Sequence, residues 1–388
     1  MPELAAPAEA GMRVELSPTQ REARAAFRRF AAERVVPEAG AWDRAGAVPR
    51  EVIAALVERG WLGAPLPAEA GGGAMAAVTY GLLTEEIARG CSSLRSLLTV
   101  HDMVSQGLWR WGSRQLKAEL FPALGRGERL AALALSEPEV GSDAAHVRTT
   151  ARRDGDDWVL DGRKKWITFG RIADLFLVLA QAEGGPAAFA VPADAPGLER
   201  RPLDGVVGTR ASMLAELHLD GCRVPAHHLV GRPGFGFSHV VTMVLDHGRY
   251  SVAWGSVGVC QACLDACLDY TAGREQFGVP LADHQLVRRE LTDLIADTRA
   301  ARLLCYRAGW LRETGDPAST GETLVAKYFA SRAAVRAANA AVQLHGANGL
   351  SQHYPLERYL RDAKVLEIIE GSSQIQQITI PVWPPSDL

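Results

Sequence analysis

Twice along this chain the spacing of apolar residues changes, from helical to strand-like and back, and few architectures accommodate that order. From residue 17 to 125 the pattern is helical. Ser17-Pro18-Thr19-Gln20 opens the first helix with a Ser N-cap, Pro at the first helical position and Gln where a capping box requires it. Phe27, Phe30, Ala31 and Val35 supply the apolar stripe, and Pro37 ends it. Further helices are predicted at 49–59, 76–89, 93–111 and 114–124. Between residues 130 and 229, short apolar runs alternate with turn residues, as strands do. Segments 147–153 and 158–160 form a predicted hairpin across Asp154-Gly155-Asp156-Asp157, 174–180 and 187–191 read as central strands, and 215–219 alternates before Pro225. Long helical periods return at 237–273, 283–314, 319–344 and 357–369. The expected fold class is α+β, divided into a helical domain (16–129), a β domain (130–236) and a second helical domain (237–388).

Length and charge narrow the function. A chain of 388 residues holds two or three packed units. The net charge is −3 and Lys and Arg are scattered, which argues against a nucleic-acid groove or a polybasic membrane surface. No run of eighteen apolar residues predicts a membrane span. The N-terminal stretch, with Glu3, Glu9 and Glu15, does not read as a signal peptide. Cys260, Cys263 and Cys267 share one face of a predicted helix, but no second ligand cluster lies near, so buried small side chains are expected there and no metal. A reducing cytoplasm fits these features.

Three stretches stand out chemically. Ala134-Leu135-Ser136-Glu137-Pro138-Glu139-Val140-Gly141-Ser142-Asp143 lies where helix gives way to strand, and Gly141-Ser142-Asp143 makes a tight turn suited to a polar ligand edge. Alone, it serves equally as a capped connector. In Lys164-Lys165-Trp166-Ile167-Thr168-Phe169-Gly170, period-2 geometry puts Trp166 and Thr168 on one face, able to cover a flat ring or simply to pack. Arg361-Asp362-Ala363-Lys364-Val365-Leu366-Glu367-Ile368-Ile369-Glu370-Gly371-Ser372-Ser373-Gln374 ends a helix at Gly371. Glu370 follows Val365, Leu366, Ile368 and Ile369, and a carboxylate in such company has a raised pKa, as a base acting on a weak carbon acid needs. An ordinary solvated Glu at a helix end is the other reading.

Together, in this order, these stretches resemble the acyl-CoA dehydrogenase family over essentially the whole chain, from about residue 16 to 380. Arg274-Glu275-Gln276-Phe277-Gly278 and Gln343-Leu344-His345-Gly346-Ala347-Asn348-Gly349 agree. The resemblance implies an acyl-CoA dehydrogenase fold with an N-terminal helical domain, a β-barrel-like middle domain and a C-terminal four-helix bundle. It implies FAD as cofactor, with Leu135, Ser136, Ser142, Trp166, Thr168, Ser372 and Gln374 contacting it. Arg274, Phe277, Gln343 and Gly346 would reach the flavin nucleotide of a neighbouring subunit, making a homodimer or homotetramer. The implied reaction pairs removal of the α-proton of a thioester by Glu370 with hydride transfer from the β carbon to flavin N5. Some relatives carry the base beside Arg249 instead; here that position is Gly248. An electron-transfer flavoprotein or oxygen would accept the electrons. Two positions depart from the family pattern: Phe169 where Asn is common, and Ala347 where a second Gly is common.

The segment Cys91-Ser92-Ser93-Leu94-Arg95-Ser96-Leu97-Leu98-Thr99-Val100-His101 matches the helix that closes the acyl pocket in the family. Arg95 and Thr99 are one turn apart and can share a wall. An Arg there resembles glutaryl-CoA dehydrogenase, where it meets a distal carboxylate; an Arg satisfied within the protein or lying on the surface is the alternative. The same stretch, with Gly248-Arg249-Tyr250-Ser251-Val252-Ala253-Trp254-Gly255, resembles a subgroup that makes hydroxymalonyl or methoxymalonyl extender units for polyketide antibiotics. That subgroup implies a tiny polar acyl group on an acyl carrier protein rather than CoA, with Arg95, Thr99 and Arg249 binding substrate. The other expectation is a short-chain or glutaryl-type acyl-CoA dehydrogenase of catabolism.

Overall fold

Ser17 caps α1 (Pro18–Phe30) as its sequence requires: its hydroxyl accepts from the Gln20 N–H at 3.1 Å while the Gln20 side chain accepts from the Ser17 N–H at 2.9 Å. The computed structural model describes residue 12 and residues 14 to 383, so the acidic N-terminal stretch lies almost wholly outside the described residues. A π turn (Ala31–Val35) carries α1 to Pro37. Then come α2 (Ala39–Ala45), α3 (Arg50–Glu58), α4 (Ala77–Gly90), α5 (Ser92–Trp111) and α6 (Arg114–Leu120). α6 stops short of its predicted end because Phe121 precedes Pro122, and a residue before proline disfavours helical backbone. Phe121 is accordingly extended.

The middle domain is one eight-stranded sheet. Its strands are β1 (Ala131–Ala134), β2 (Thr150–Asp154), β3 (Asp157–Ile167), β4 (Leu175–Ala182), β5 (Gly185–Pro192), β6 (Leu198–Pro202), β7 (Ala215–Pro225) and β8 (Leu229–Val230). They run in the order β6-β7-β3-β2-β4-β5-β8, with β1 beside β4. The expected hairpin forms, with Asp154 opposite Asp157. β4 is buried from Leu175 to Ala180 and pairs with β5 along its whole length, which explains why both read as unbroken apolar runs.

The C-terminal domain holds α7 (Thr242–Gly273), a short hairpin of β9 (Glu275–Gln276) and β10 (Val279–Pro280), then α8 (Gln285–Thr314), α9 (Ser319–His345), α10 (Leu356–Ile368) and α11 (Ser373–Thr379). The segment Gly236–Gly273 is long and apolar enough to cross a membrane, yet 78% of its most apolar window is buried inside the protein, as in a core helix. α7 packs against α4, α5, α8 and α9, so it joins the two helical domains. Cys260, Cys263 and Cys267 are buried and unpaired on α7, and burial pushes all three thiols up, as for inert packing groups. The architecture is the expected helical domain, sheet domain and helical domain.

Candidate active site

α5 and α7 meet through complementary stripes. Arg95, Thr99 and Met103 recur every fourth residue on α5, and Gly248, Ser251 and Gly255 face them from α7. Thr99 Oγ1 lies 2.7 Å from Ser251 Oγ. A Cβ at Gly255 would stand 3.0 Å from Arg95 Cδ and Nε; at Gly248 it would stand 2.5 Å from Glu370 Oε2 and 2.7 Å from Met103 Sδ. The small residues of α7 therefore make room for two groups, a guanidinium at one level and a carboxylate at the other.

Arg95 is fully buried, which rules out the surface alternative. Its Nη1 donates to Thr99 Oγ1 at 3.1 Å, but Nε and Nη2 find no acceptor among the described residues. Burial pulls the guanidinium down to about 10, against the opposing field of Glu370. A buried donor without an acceptor costs about 1–3 kcal/mol, more when charged. The polar edge of a bound molecule is what such a group lacks.

Glu370 is held in an uncommon backbone conformation. α10 ends at Ile368, Ile369 is extended, and Glu370 and Gly371 take φ of +56° and +89°. A non-glycine residue at positive φ costs about 1–2 kcal/mol and persists where neighbours enforce it. Arg249 Nε donates to the Glu370 carbonyl at 3.0 Å, Lys327 Nζ donates to the Gly371 carbonyl at 2.7 Å, and Gln376 Nε2 reaches both at 3.3 and 3.2 Å. Three helices, α7, α9 and α11, thus fix the turn. Glu370 Oε2 is buried and unpartnered. Burial lifts the carboxyl to about 7 despite the cations Arg249, Lys327 and Arg95. The apolar neighbours in sequence gave the direction of this shift; the cations that limit it come from other helices.

Hydrogen bonds draw two segments of the β domain together. Lys165 N–H donates to the Ser136 carbonyl at 2.8 Å, and buried Lys164 Nζ donates to the Leu135 carbonyl at 3.1 Å and to Glu137 at 2.7 Å. These bonds bring Leu135 and Ser136 beside the end of β3. The expectation that strand alternation puts Trp166 and Thr168 on one face is corrected here. Trp166 has φ +66° at a register shift and β3 ends at Ile167, so no regular period spans 166–168. The turned backbone leaves the indole 51% exposed. Ser142 is exposed in its bend and Thr168 half-buried. Ser372 caps α11 by accepting from Ile375 N–H at 3.4 Å, Gln374 is exposed, and Ser373 Oγ is buried without a partner. An exposed indole and a buried hydroxyl without a partner among the described residues are groups that a bound molecule would satisfy.

A second group lies where the C-terminal ends of α7 and α9 meet. Tyr270 stacks on His345 at 4.1 Å, and Asn348 Nδ2 donates to the Tyr270 hydroxyl at 2.9 Å. Gln343 and Gly346 are exposed there, and Arg274 follows directly from α7. Phe277, at the tip of the β9–β10 hairpin, is 95% exposed. Among the described residues only the His284 ring approaches it, edge-on at 6.0 Å.

Family models match the chain almost throughout: acyl-CoA dehydrogenase N-terminal domain at residues 17–128, middle domain at 132–222 and C-terminal domain at 234–381. The chain belongs to the acyl-CoA dehydrogenase family, whose members are FAD-dependent oxidoreductases acting on CH–CH bonds. It is similar to the short-chain specific acyl-CoA dehydrogenase of Rattus norvegicus mitochondria, 37% identical over 95% of this chain and 90% of the other. Among solved structures it resembles glutaryl-CoA dehydrogenase from Mycobacterium smegmatis, with 33% identity, a TM-score of 0.90 and 94% of each chain covered. It also resembles FkbI, described as acting in biosynthesis of the methoxymalonyl extender unit of the Fk520 polyketide. There the identity is 36%, the TM-score 0.84, and 92% of this chain and 98% of the other are covered.

Sequence reasoning missed Lys327, Gln376, Ser251 and Met103. Lys327 was detectable: it falls in the buried stripe of α9, between Thr323 and Ala330, where a charge needs a reason. Gln376 and Met103 carried no signal of their own.

Proposed function

We infer that this chain oxidises a short, polar acyl thioester carried on an acyl carrier protein, of the kind used to prepare polyketide extender units. The observation that carries the reading is the unsatisfied Arg95 guanidinium, packed against Gly255 while the Glu370 carboxylate packs against Gly248, about two turns away on α7. Arg95 Nη1 meets Thr99, which meets Ser251, and Ser251 is three residues from Gly248 beneath Glu370. At the α-helical rise Ser251 lies about 4.5 Å and Gly255 about 10 Å along α7 from Gly248. A short acyl group with a polar end suits the space between these levels, whereas a long alkyl chain meets a cation. FAD, when bound, supplies the hydride acceptor. Glu370 takes the proton from the carbon beside the thioester carbonyl, and Arg249 keeps the base turn in place through the Glu370 carbonyl. Removing the α-proton and β-hydride from a glyceryl thioester leaves an enol, which relaxes to the aldehyde, with Arg95 and Thr99 holding the oxygen. Leu135, Ser136, Ser142, Trp166, Thr168, Ser372 and Gln374 would hold the flavin. Arg274, Phe277, Gln343 and Gly346 would reach a partner's flavin in a homodimer or homotetramer. Six unpaired cysteines suit a reducing cytoplasm.

A glutaryl-type acyl-CoA dehydrogenase is the second reading, because a carboxylate would satisfy Arg95 equally well and the M. smegmatis glutaryl-CoA dehydrogenase is similar over nearly the whole chain. Anaerobic addition of glyceryl-carrier protein, glutaryl-CoA and butyryl-CoA to the holoenzyme separates the two. Bleaching of the flavin by the carrier-bound unit alone, lost in Arg95→Ala, is expected. Bleaching by glutaryl-CoA alone transfers the protein to catabolism, and bleaching by butyryl-CoA with Arg95→Ala unaffected removes Arg95 from substrate binding.

A further inference from the structure

A cluster at the seam between the N-terminal helices and the sheet takes no part in this chemistry. Glu119 sits in the last turn of α6, and His227 and His228 form the turn Ala226–His228 that follows β7. Glu119 Oε2 lies 2.9 Å from His227 Nε2 and 3.2 Å from His228 Nε2, and the three donor atoms lie within 4.8 Å of one another. Atoms bound to one ion at about 2.0–2.1 Å stand roughly 3 Å apart, so the two separations from Glu119 are those of ligands on a shared ion as well as of hydrogen bonds.

Orientation adds an independent observation. The His228 ring is buried at 2% exposure, with Nδ1 2.8 Å from the Ala190 carbonyl on β5. A carbonyl only accepts, so Nδ1 carries the hydrogen and Nε2 is the nitrogen that faces Glu119. Metal-binding histidines are fixed in this way, the far nitrogen donating to a backbone carbonyl. The His227 ring stands 4.7 Å from that of His228 at 84°, so two neighbours in sequence turn the same nitrogen toward one point. Ser113, the cap of α6, donates to the His227 carbonyl at 3.5 Å and ties that turn to the helix. Glu119 remains exposed, leaving a side open to solvent for entry and for a water ligand.

We propose that Glu119, His227 and His228 bind a divalent transition-metal ion of the zinc class, fastening α6 to the sheet domain. Two imidazoles and one carboxylate suit zinc, nickel or copper, whereas magnesium and calcium prefer oxygen ligands alone. The site shares no residue with the active site, so the ion serves stability and leaves the chemistry alone. Cys260, Cys263 and Cys267, the cluster the sequence offers first, have no part in it.

The test uses tag-free holoenzyme stripped of metal with a chelator. Zinc chloride is titrated by calorimetry, and thermal unfolding is followed with and without zinc, with magnesium chloride as comparison. One equivalent of zinc per chain, a zinc-dependent rise in Tm, no response to magnesium and unchanged flavin reduction by substrate are expected. His227→Ala and Glu119→Gln, both at partly exposed positions, weaken zinc binding by about tenfold or more and abolish the Tm rise. No zinc uptake by the unmodified protein, or equal uptake by it and both variants, overturns the proposal; protons alone then hold the three side chains together.

Discussion

At the scale of single residues, the proposed mechanism makes the charge on Glu370 set the working pH. A base must be deprotonated, so kcat/KM for the thioester rises with pH through about 7, and Glu370→Gln lowers flavin reduction by about 10²–10⁴-fold or more. Lys327 is one of the cations that restrain this carboxyl. Lys327→Met therefore moves the acid limb to higher pH, while Lys327→Arg leaves it nearly in place; an unmoved limb in both would reduce Lys327 to a tether for Gly371. The same raised carboxyl acts on stability with the opposite sense. The folded state binds this proton more tightly than the unfolded one, so between the ordinary value of 4.5 and about 7 this group's contribution falls as pH rises. Gly248 makes a sharper test of geometry. Its Cβ space is taken by Glu370 Oε2 and Met103 Sδ, so Gly248→Ala pushes the base aside and costs about a hundredfold in turnover with flavin content retained. Phe169 shows the reverse relation. It is buried with φ +55° at the position where the family favours Asn, a residue that accepts that conformation more readily.

At the scale of elements, α4 and α7 pack so closely that a Cβ at Gly81 would stand 2.2 Å from the Trp254 indole. Gly81→Ala is expected to destabilise the protein by about 1–3 kcal/mol or more in denaturant unfolding, since the fully buried ring has nowhere to move. The long helices and the central strands were legible in the sequence because their apolar period persists over many residues. α5, for instance, begins within one residue of its predicted start and ends at its predicted residue. What escaped was short or set by distant contacts. α2 and α11 have seven residues each and show no apolar period in the sequence. The turn at Trp166 breaks a strand that the local sequence reads as continuous, because Lys164 and Lys165 are drawn toward the loop at Leu135–Glu137, some thirty residues earlier. Of the candidate site, the residues of Glu370's own loop were readable, and the helices that clamp it were not.

At the scale of the whole molecule, the exposed apolar side chains Phe277, Val279 and Leu286 lie close together in sequence around the β9–β10 hairpin. Light scattering after size exclusion is expected to give a dimer or tetramer, and Phe277→Asp to lower the flavin retained per chain; a monomer that keeps its full flavin would contradict the shared site. The facing stripes of α5 and α7 carry a different consequence, one for descent. The groups proposed to choose the acyl chain, Arg95 and Thr99, belong to the first helical domain, while the proposed proton acceptor and its clamps belong to the last. Selectivity and reactivity are thus inherited on separate stretches of polypeptide. Mutations in α5 can retarget a duplicated copy toward a new thioester while its proton chemistry stays intact, and one ancestral catalyst can in that way supply many pathways.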